Sequence, residues 1–162
     1  MTAHTPLQPA SFTLTRVYDA SAPTLFRAFA DPDLKARWFD APTPDWTPIS
    51  SSLEFREGGI EHSYSEHISG MTSKFEARYH HIEPNRRIVY SYEMFVDDEL
   101  LSVSLTSLDL IPMTSSHRQT QLVLTEQGLF LSDKDHATHR EDGTREWMEV
   151  LATFVADLDV NA

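Results

Sequence analysis

Eight histidines scattered among 25 acidic residues raise the question of metal chemistry first. His136 and His139, with Asp133 and Asp135 just before them, put two imidazoles on one helical turn beside carboxylates, the start of a zinc site. The surrounding stretch, residues 132–143 (SDKDHATHREDG), holds no core residue and fixes no third ligand. It reads as a solvated loop or a frayed helical turn. His80 and His81 are adjacent on a strand and project to opposite faces, so they do not chelate one ion together. The chain has no cysteine, which excludes thiolate ligands, thiol nucleophiles and disulfides. No metal and no cofactor is expected. No serine stands in a G-x-S-x-G turn, and neither a phosphate loop nor a dinucleotide fingerprint is present.

Glu126 carries more information. It continues the alternating phase of Leu122 and Leu124, so its carboxylate either points inward, where it must be paired, hydrated or protonated, or meets solvent where the strand twists at its end. It would serve as a polar anchor or as a general acid/base with a raised pKa. Tyr90 and Tyr92 share a phase with Ile88 and Met94, and Tyr79 follows Phe75 and Ala77. Inward tyrosines pack their rings while offering hydroxyls. Trp38 and Trp147 stand at the ends of helical patterns, and either packs in the core or lines the mouth of a cavity. His62 and Glu66, in phase with Tyr64, are read as the half-exposed face of a strand near a sheet edge.

The elements that position these groups follow from periodicity. Residues 1–11 read as a loose tail. Residues 12–19 (FTLTRVYD) read as a strand. Ser21 with Pro23, then Asp31-Pro32, are two cap-then-proline signals that start short helices. The second carries Leu34 and Trp38 at i, i+4. Pro42, Pro44 and Pro48 make a loop, after which the period changes from helix to strand.

Gly58-Gly59, Gly70, Pro84-Asn85, Asp97-Asp98 and residues 112–118 punctuate the strands that follow. Ile60, Tyr64 and Ile68 are read as one face of their strand. A bulge is expected near His80-His81, and another near Thr106-Ser107 to reconcile Val103 and Leu105 with Leu108 and Leu110. Trp147, Val150, Leu151, Phe154, Val155 and Leu158 form one apolar stripe on a last helix, capped by Asp142 or Thr144. The order predicts a strand, two short helices, about six hairpin-linked antiparallel strands and a long helix. This is an α+β domain over residues 12–160, its curved sheet wrapped around the C-terminal helix.

That order, with several local strings, resembles the helix-grip fold of the START-like (SRPBCC) superfamily, in particular the bacterial homologues of the heat-shock-protein-90 ATPase activator. The strings are Asp31-Pro32 with Leu34 and Arg37-Trp38-Phe39; Gly58-Gly59; Ile82-Glu83-Pro84 with Arg87-Ile88-Val89-Tyr90; Thr120 to Thr125 with Glu126-Gln127-Gly128; and Gly143-Thr144 before Trp147. Together they span about residues 11–160. Asp40 stands where a glycine often follows the aromatic pair, and Glu126 stands where many relatives carry histidine.

The resemblance implies a cavity between sheet and C-terminal helix, lined here by Tyr79, Tyr90, Tyr92, Glu126, Trp38, Trp147 and Leu151. It implies binding of a small hydrophobic or amphipathic molecule. The alternatives are a protein-interaction or chaperone-cofactor module and a polyketide-cyclase-like enzyme, with an enzyme the least supported.

The net charge of −12 repels phosphate backbones and argues against a nucleic-acid partner, while leaving room for a basic protein surface. No stretch is long and apolar enough to span a membrane, and Met1 to Ala10 do not form a signal peptide. A cytoplasmic location and a possible homodimer complete the expectations.

Overall fold

The computed structural model describes residues 6–160. The chain runs β1 (Gln8–Tyr18), α1 (Ala22–Ala30), α2 (Pro32–Lys35), a π-helical turn (Ala36–Asp40), β2 (Trp46–Leu53), β3 (Ile60–His67), β4 (Thr72–Glu83), β5 (Arg87–Val96), β6 (Glu99–Met113), β7 (Ser116–Phe130) and α3 (Ala137–Val160). The strands form one seven-stranded sheet in the order β1-β7-β6-β5-β4-β3-β2. Every neighbouring pair is antiparallel. This is the α+β helix-grip arrangement, with the short helices between the first two strands.

Local chemistry sets these elements. Ser21 Oγ accepts the Thr24 amide at 3.3 Å and caps α1. Asp31 closes α1 and then caps α2, its carboxylate taking the amides of Asp33 and Leu34 at 2.9 and 3.1 Å. Asp97 and Asp98 both adopt positive φ between β5 and β6, the geometry of a two-residue hairpin turn. Gly59 is required for close approach rather than for its φ. A Cβ there would lie 2.0 Å from the Glu54 carbonyl oxygen.

Along α3, Leu151 and Val155 are fully buried, with Trp147, Val150 and Phe154 packed against the same core. Met148, outside the expected stripe, is buried too, and its carbonyl accepts the Tyr18 hydroxyl at 3.1 Å.

Four local expectations change. β1 begins at Gln8, so Gln8–Ser11, expected within the tail, pair with β7; Met1–Thr5 lie outside the described residues. The bulge expected in β4 is present between Tyr79 and His81, but β6 runs through Thr106-Ser107 in regular register. Ser102, Ser104 and Thr106 share the inner phase with Leu108 and Leu110, while Val103 and Leu105 face solvent. A bulge would be needed only if the apolar residues faced inward along the whole strand, and here serine and threonine take the inner phase instead.

The same assumption inverts β3. Glu61, Ser63 and Ser65 are buried, while Ile60 is exposed and Ile68, also exposed, lies in the turn after the strand. β3 lies next to β2, one of the two edge strands. Finally, α3 starts at Ala137, two turns before the expected caps.

Candidate functional site

The inner face of the sheet divides by chemistry. Ile88, Leu108, Leu110, Leu122 and Leu124 make one part apolar. The other part is polar, with Glu61, Ser63 and Ser65 from β3, Tyr79 from β4, Tyr90 and Tyr92 from β5, Ser102, Ser104 and Thr106 from β6, and Glu126 from β7. Buried polar atoms are tolerated only where they find partners. Here they gather into two clusters.

The first centres on Glu126, which is 3% exposed. Oε1 accepts the Tyr92 hydroxyl at 2.8 Å and the Thr106 hydroxyl at 3.5 Å; Oε2 accepts Ser104 at 3.1 Å. Arg140, from the first turn of α3, brings Nη1 to 3.5 Å from Oε2. The same guanidinium donates to the Tyr92 hydroxyl at 2.8 Å, to Ser102 at 2.7 Å, and to buried Asp135. It also lies over the rings of Tyr92 and Phe130. Burial raises the Glu126 pKa above its ordinary value, opposed by Arg140 and by the three hydroxyl donors. Burial likewise raises the Tyr92 phenol, so its proton stays on the oxygen and is donated to Glu126.

The second cluster lies where the π-helical turn meets β3. Lys35 Nζ donates to Glu61 Oε1 at 2.7 Å and to the Tyr79 hydroxyl at 3.3 Å, and the Tyr79 hydroxyl donates to Glu61 Oε1 at 2.6 Å. Ser63 Oγ donates to Asp40 Oδ1 at 2.6 Å. Burial first, and then the Glu61 charge, hold the Tyr79 phenol well above its ordinary value.

An aromatic path joins the clusters. Tyr79 contacts Tyr90 at 5.7 Å between ring centroids, and Tyr90 contacts Tyr92 at 6.1 Å. From Tyr92 the path continues through Phe75, Phe39 and Trp38 to Trp147, with steps of 4.9, 5.0, 5.6 and 5.5 Å. Six residues expected to line an interior site, Tyr79, Tyr90, Tyr92, Trp38, Trp147 and Leu151, therefore belong to or pack on one core cluster. Glu126 is tied to it through Tyr92.

Sequence patterns did not reveal Arg140, Lys35 or Glu61, and they marked Asp135 only beside the histidines and Asp40 only as a departure from a family glycine. Arg140 and Asp135 sit in a stretch with no apolar period, so nothing marked it as packed. Glu61 was visible as the alternate phase of β3, with small serines beside it, but the isoleucines of the opposite phase masked it.

Of the described histidines, His139 reaches the edge of the first cluster through Asp135. His80 bonds Ser91 at 2.7 Å, and His139 bonds Asp135 at 3.2 Å on the exposed side of α3. Among the described residues no group of three potential ligands is placed to hold a metal ion. Two open depressions, of about 580 and 310 Å³, lie elsewhere. The larger is beside Val103, Leu105 and Leu129 on the outer face, and the smaller is beside Ile49, Glu66 and Ile68. No helix among the described residues is long and apolar enough to cross a membrane.

Comparison with known proteins places this geometry in context. An uncharacterised protein from Rhizobium leguminosarum shares 31% identity over 93% of this chain and 96% of its own, with a TM-score of 0.85. The Mll3558 protein from Rhizobium loti shares 35% over 93% and 99%, with a TM-score of 0.82. The fold extends to protein CV1439 from Chromobacterium violaceum, at 24% identity over 90% and 96%, with a TM-score of 0.74. No curated protein matches the chain. The family model described as "Activator of Hsp90 ATPase homolog 1-like protein" matches residues 19–156. The chain belongs to that family.

Proposed function

We propose that the chain binds a small amphipathic molecule between the sheet and α3, with Tyr79, Tyr90, Tyr92, Trp38, Trp147 and Leu151 against its apolar part and Glu126 as a polar anchor. The observation that supports this most is the burial of Glu126. A leucine in its place would extend the apolar run of Leu122 and Leu124 without desolvating a charge. Retention of a buried charge with four polar neighbours, Tyr92, Ser104, Thr106 and Arg140, is the usual mark of a site kept for use at some loss of stability. N-phenyl-1-naphthylamine, an apolar fluorophore with one N–H donor, tests the reading. Saturable binding is expected, quenching Trp38 and Trp147, and Glu126→Gln weakens it about fivefold while the circular dichroism spectrum stays unchanged. Equal binding by wild type and Glu126→Gln removes Glu126 as the anchor.

Family membership favours a second reading, an activator-like module that engages a protein partner. The net charge of −12 suits a basic partner surface reached by electrostatic steering. Stimulation of the ATPase of a purified Hsp90-class chaperone, lost on raising salt, would support it; an unchanged ATPase rate at low salt would count against it.

A further inference from the structure

We propose that the outward face of β1, β7 and β6 is the contact surface of a two-fold homodimer, with the axis crossing the strands along the row Thr13, Thr125 and Ser107. This surface lies on the far side of the sheet from α3 and is independent of what the interior binds.

Charge is distributed unevenly over the outer face. The solvated side of an antiparallel sheet ordinarily carries polar and charged side chains. On β4 it does, with Lys74, Glu76, Arg78 and His80 as the outward residues. Where β1, β7 and β6 run side by side, the outward positions are alternate residues from Pro9 to Val17, from Gln121 to Leu129 and from Val103 to Ile111. Of these fifteen residues Asp109 alone is charged, and Arg87, at the margin on β5, bonds it at 2.6 Å. At the chain's 23% share of charged residues, fifteen solvent-facing positions would carry about three. Five of the nine large apolar side chains left exposed among the described residues lie here instead: Val17, Val103, Leu105, Ile111 and Leu129.

The same pattern selects the occupant. A chain of net charge −12 repels its own copies, so two copies meet only through a surface that carries no net charge. A basic protein would need carboxylates on this face. An anionic membrane or a nucleic acid would meet the negative field of the chain with no free cation to offset it.

Symmetry gives a second, independent ground. In an isologous contact the residues on the axis meet their own copies, so they must be able to bond themselves. A hydroxyl both donates and accepts, whereas a carboxylate only accepts and an ammonium only donates. The middle row of this surface is made of hydroxyls. Thr13, Thr125 and Ser107 stand side by side on three neighbouring strands, and the Thr13 and Thr125 hydroxyls are 3.3 Å apart. An axis along this row turns the two ends of the surface onto each other. One end holds the open depression of about 580 Å³ beside Val103, Leu105 and Leu129, with Pro9 at its rim. The other end carries Val17 and Ile111, and the rotation lays Ile111 over Val103 and Val17 over Pro9 of the second copy. With Val89 and Ser91 of β5 the surface spans roughly 600 Å² in projection, the lower end of what each partner buries in a stable pair.

Sedimentation velocity of the full chain over a concentration series tests this. The expected result is a dimer that dissociates in about the micromolar range. Leu105→Glu weakens it by about fiftyfold or more, while Ile68→Glu, which adds the same charge in the turn after β3, leaves it within about twofold. The chain has no cysteine, so a single introduced thiol reports one position. A short bismaleimide joins Ser107→Cys to its copy across the roughly 10 Å between packed sheets. It spares Leu129→Cys, whose copies stand roughly 27 Å apart, although Leu129 is the more exposed residue. If Leu105→Glu alters the circular dichroism spectrum, the cysteine pair carries the test alone. A monomer at every concentration overturns the proposal. So does a dimer unchanged by Leu105→Glu, which is what pairing through the free edge of β1 would give, and so does equal cross-linking of the two cysteine variants.

Discussion

The Tyr92 hydroxyl donates to Glu126 Oε1 at 2.8 Å across the whole width of β6. Tyr92 lies on β5 opposite Ser104, and Glu126 lies on β7 opposite Thr106, so both small β6 side chains beneath the bond also donate to the carboxylate. The two residues are joined only because the strand between them carries serine and threonine, where leucines at 108 and 110 continue the same face. Arg140 then covers the pair from α3.

Glu126 makes stability depend on pH in an unusual direction. Its pKa is raised in the folded chain, because burial outweighs Arg140 and the hydroxyl donors. Below the ordinary glutamate range it is protonated in both states and contributes no slope. Between the ordinary and the raised value only the unfolded chain has released its proton, so this group lowers stability as pH rises. Above the raised value the loss is complete. Glu126→Gln should therefore unfold at higher urea than wild type at neutral pH, by on the order of 1 kcal/mol. The gap should close as pH falls through the carboxylate range. Urea midpoints across a pH series check this, and a gap that widens toward acid would contradict it.

Arg140→Ala should destabilise the fold strongly. It leaves Glu126 and Asp135 buried without their cation, a change that costs about 3–5 kcal/mol for buried pairs. Arg140→Lys should recover only part of this, since one ammonium cannot reach Tyr92, Ser102 and both acids in the guanidinium's fork geometry. Urea unfolding of the two variants provides the comparison.

Two glycines should respond in opposite directions. Gly143 lies inside α3 with open space where a Cβ would go, so Gly143→Ala should stabilise by about 0.5–1 kcal/mol. Gly59→Ala drives a Cβ into the backbone carbonyls of Glu54 and Arg56 and should destabilise by about 2 kcal/mol or more. Thermal midpoints of both variants measure the contrast.

Lys35→Met should cost about 3 kcal/mol or more by stranding Glu61, whereas the double change Lys35→Met with Glu61→Gln should recover much of that loss. A double-mutant cycle in urea reads the coupling. Additive single effects would show that the 2.7 Å contact contributes no pairing energy.

The fold was legible because most of its signals are local. The cap-then-proline pairs at Ser21 and Asp31, the turn at Asp97-Asp98 and the stripe through Leu151 and Val155 each encode their element in a few neighbouring residues. Glu126 was legible for the same reason, through the phase of Leu122 and Leu124. Its cation was not. Arg140 is 14 positions away in a polar stretch, and only the return of α3 over the sheet brings the two together. β3 misled because alternation gives the period of a strand without saying which phase faces inward. Polar residues there face the interior, and the partners that make this tolerable, Lys35 and Asp40, reach it through a π turn that no sequence period signals.

The most direct test of interior ligand binding is native mass spectrometry of freshly purified chain, with the same sample repeated under denaturing conditions. The account predicts a discrete extra mass that persists natively, disappears on denaturation and is reduced in Glu126→Gln. The same spectrum separates monomer from dimer. A clean apo mass for the wild type, both as purified and after incubation with N-phenyl-1-naphthylamine, would contradict it.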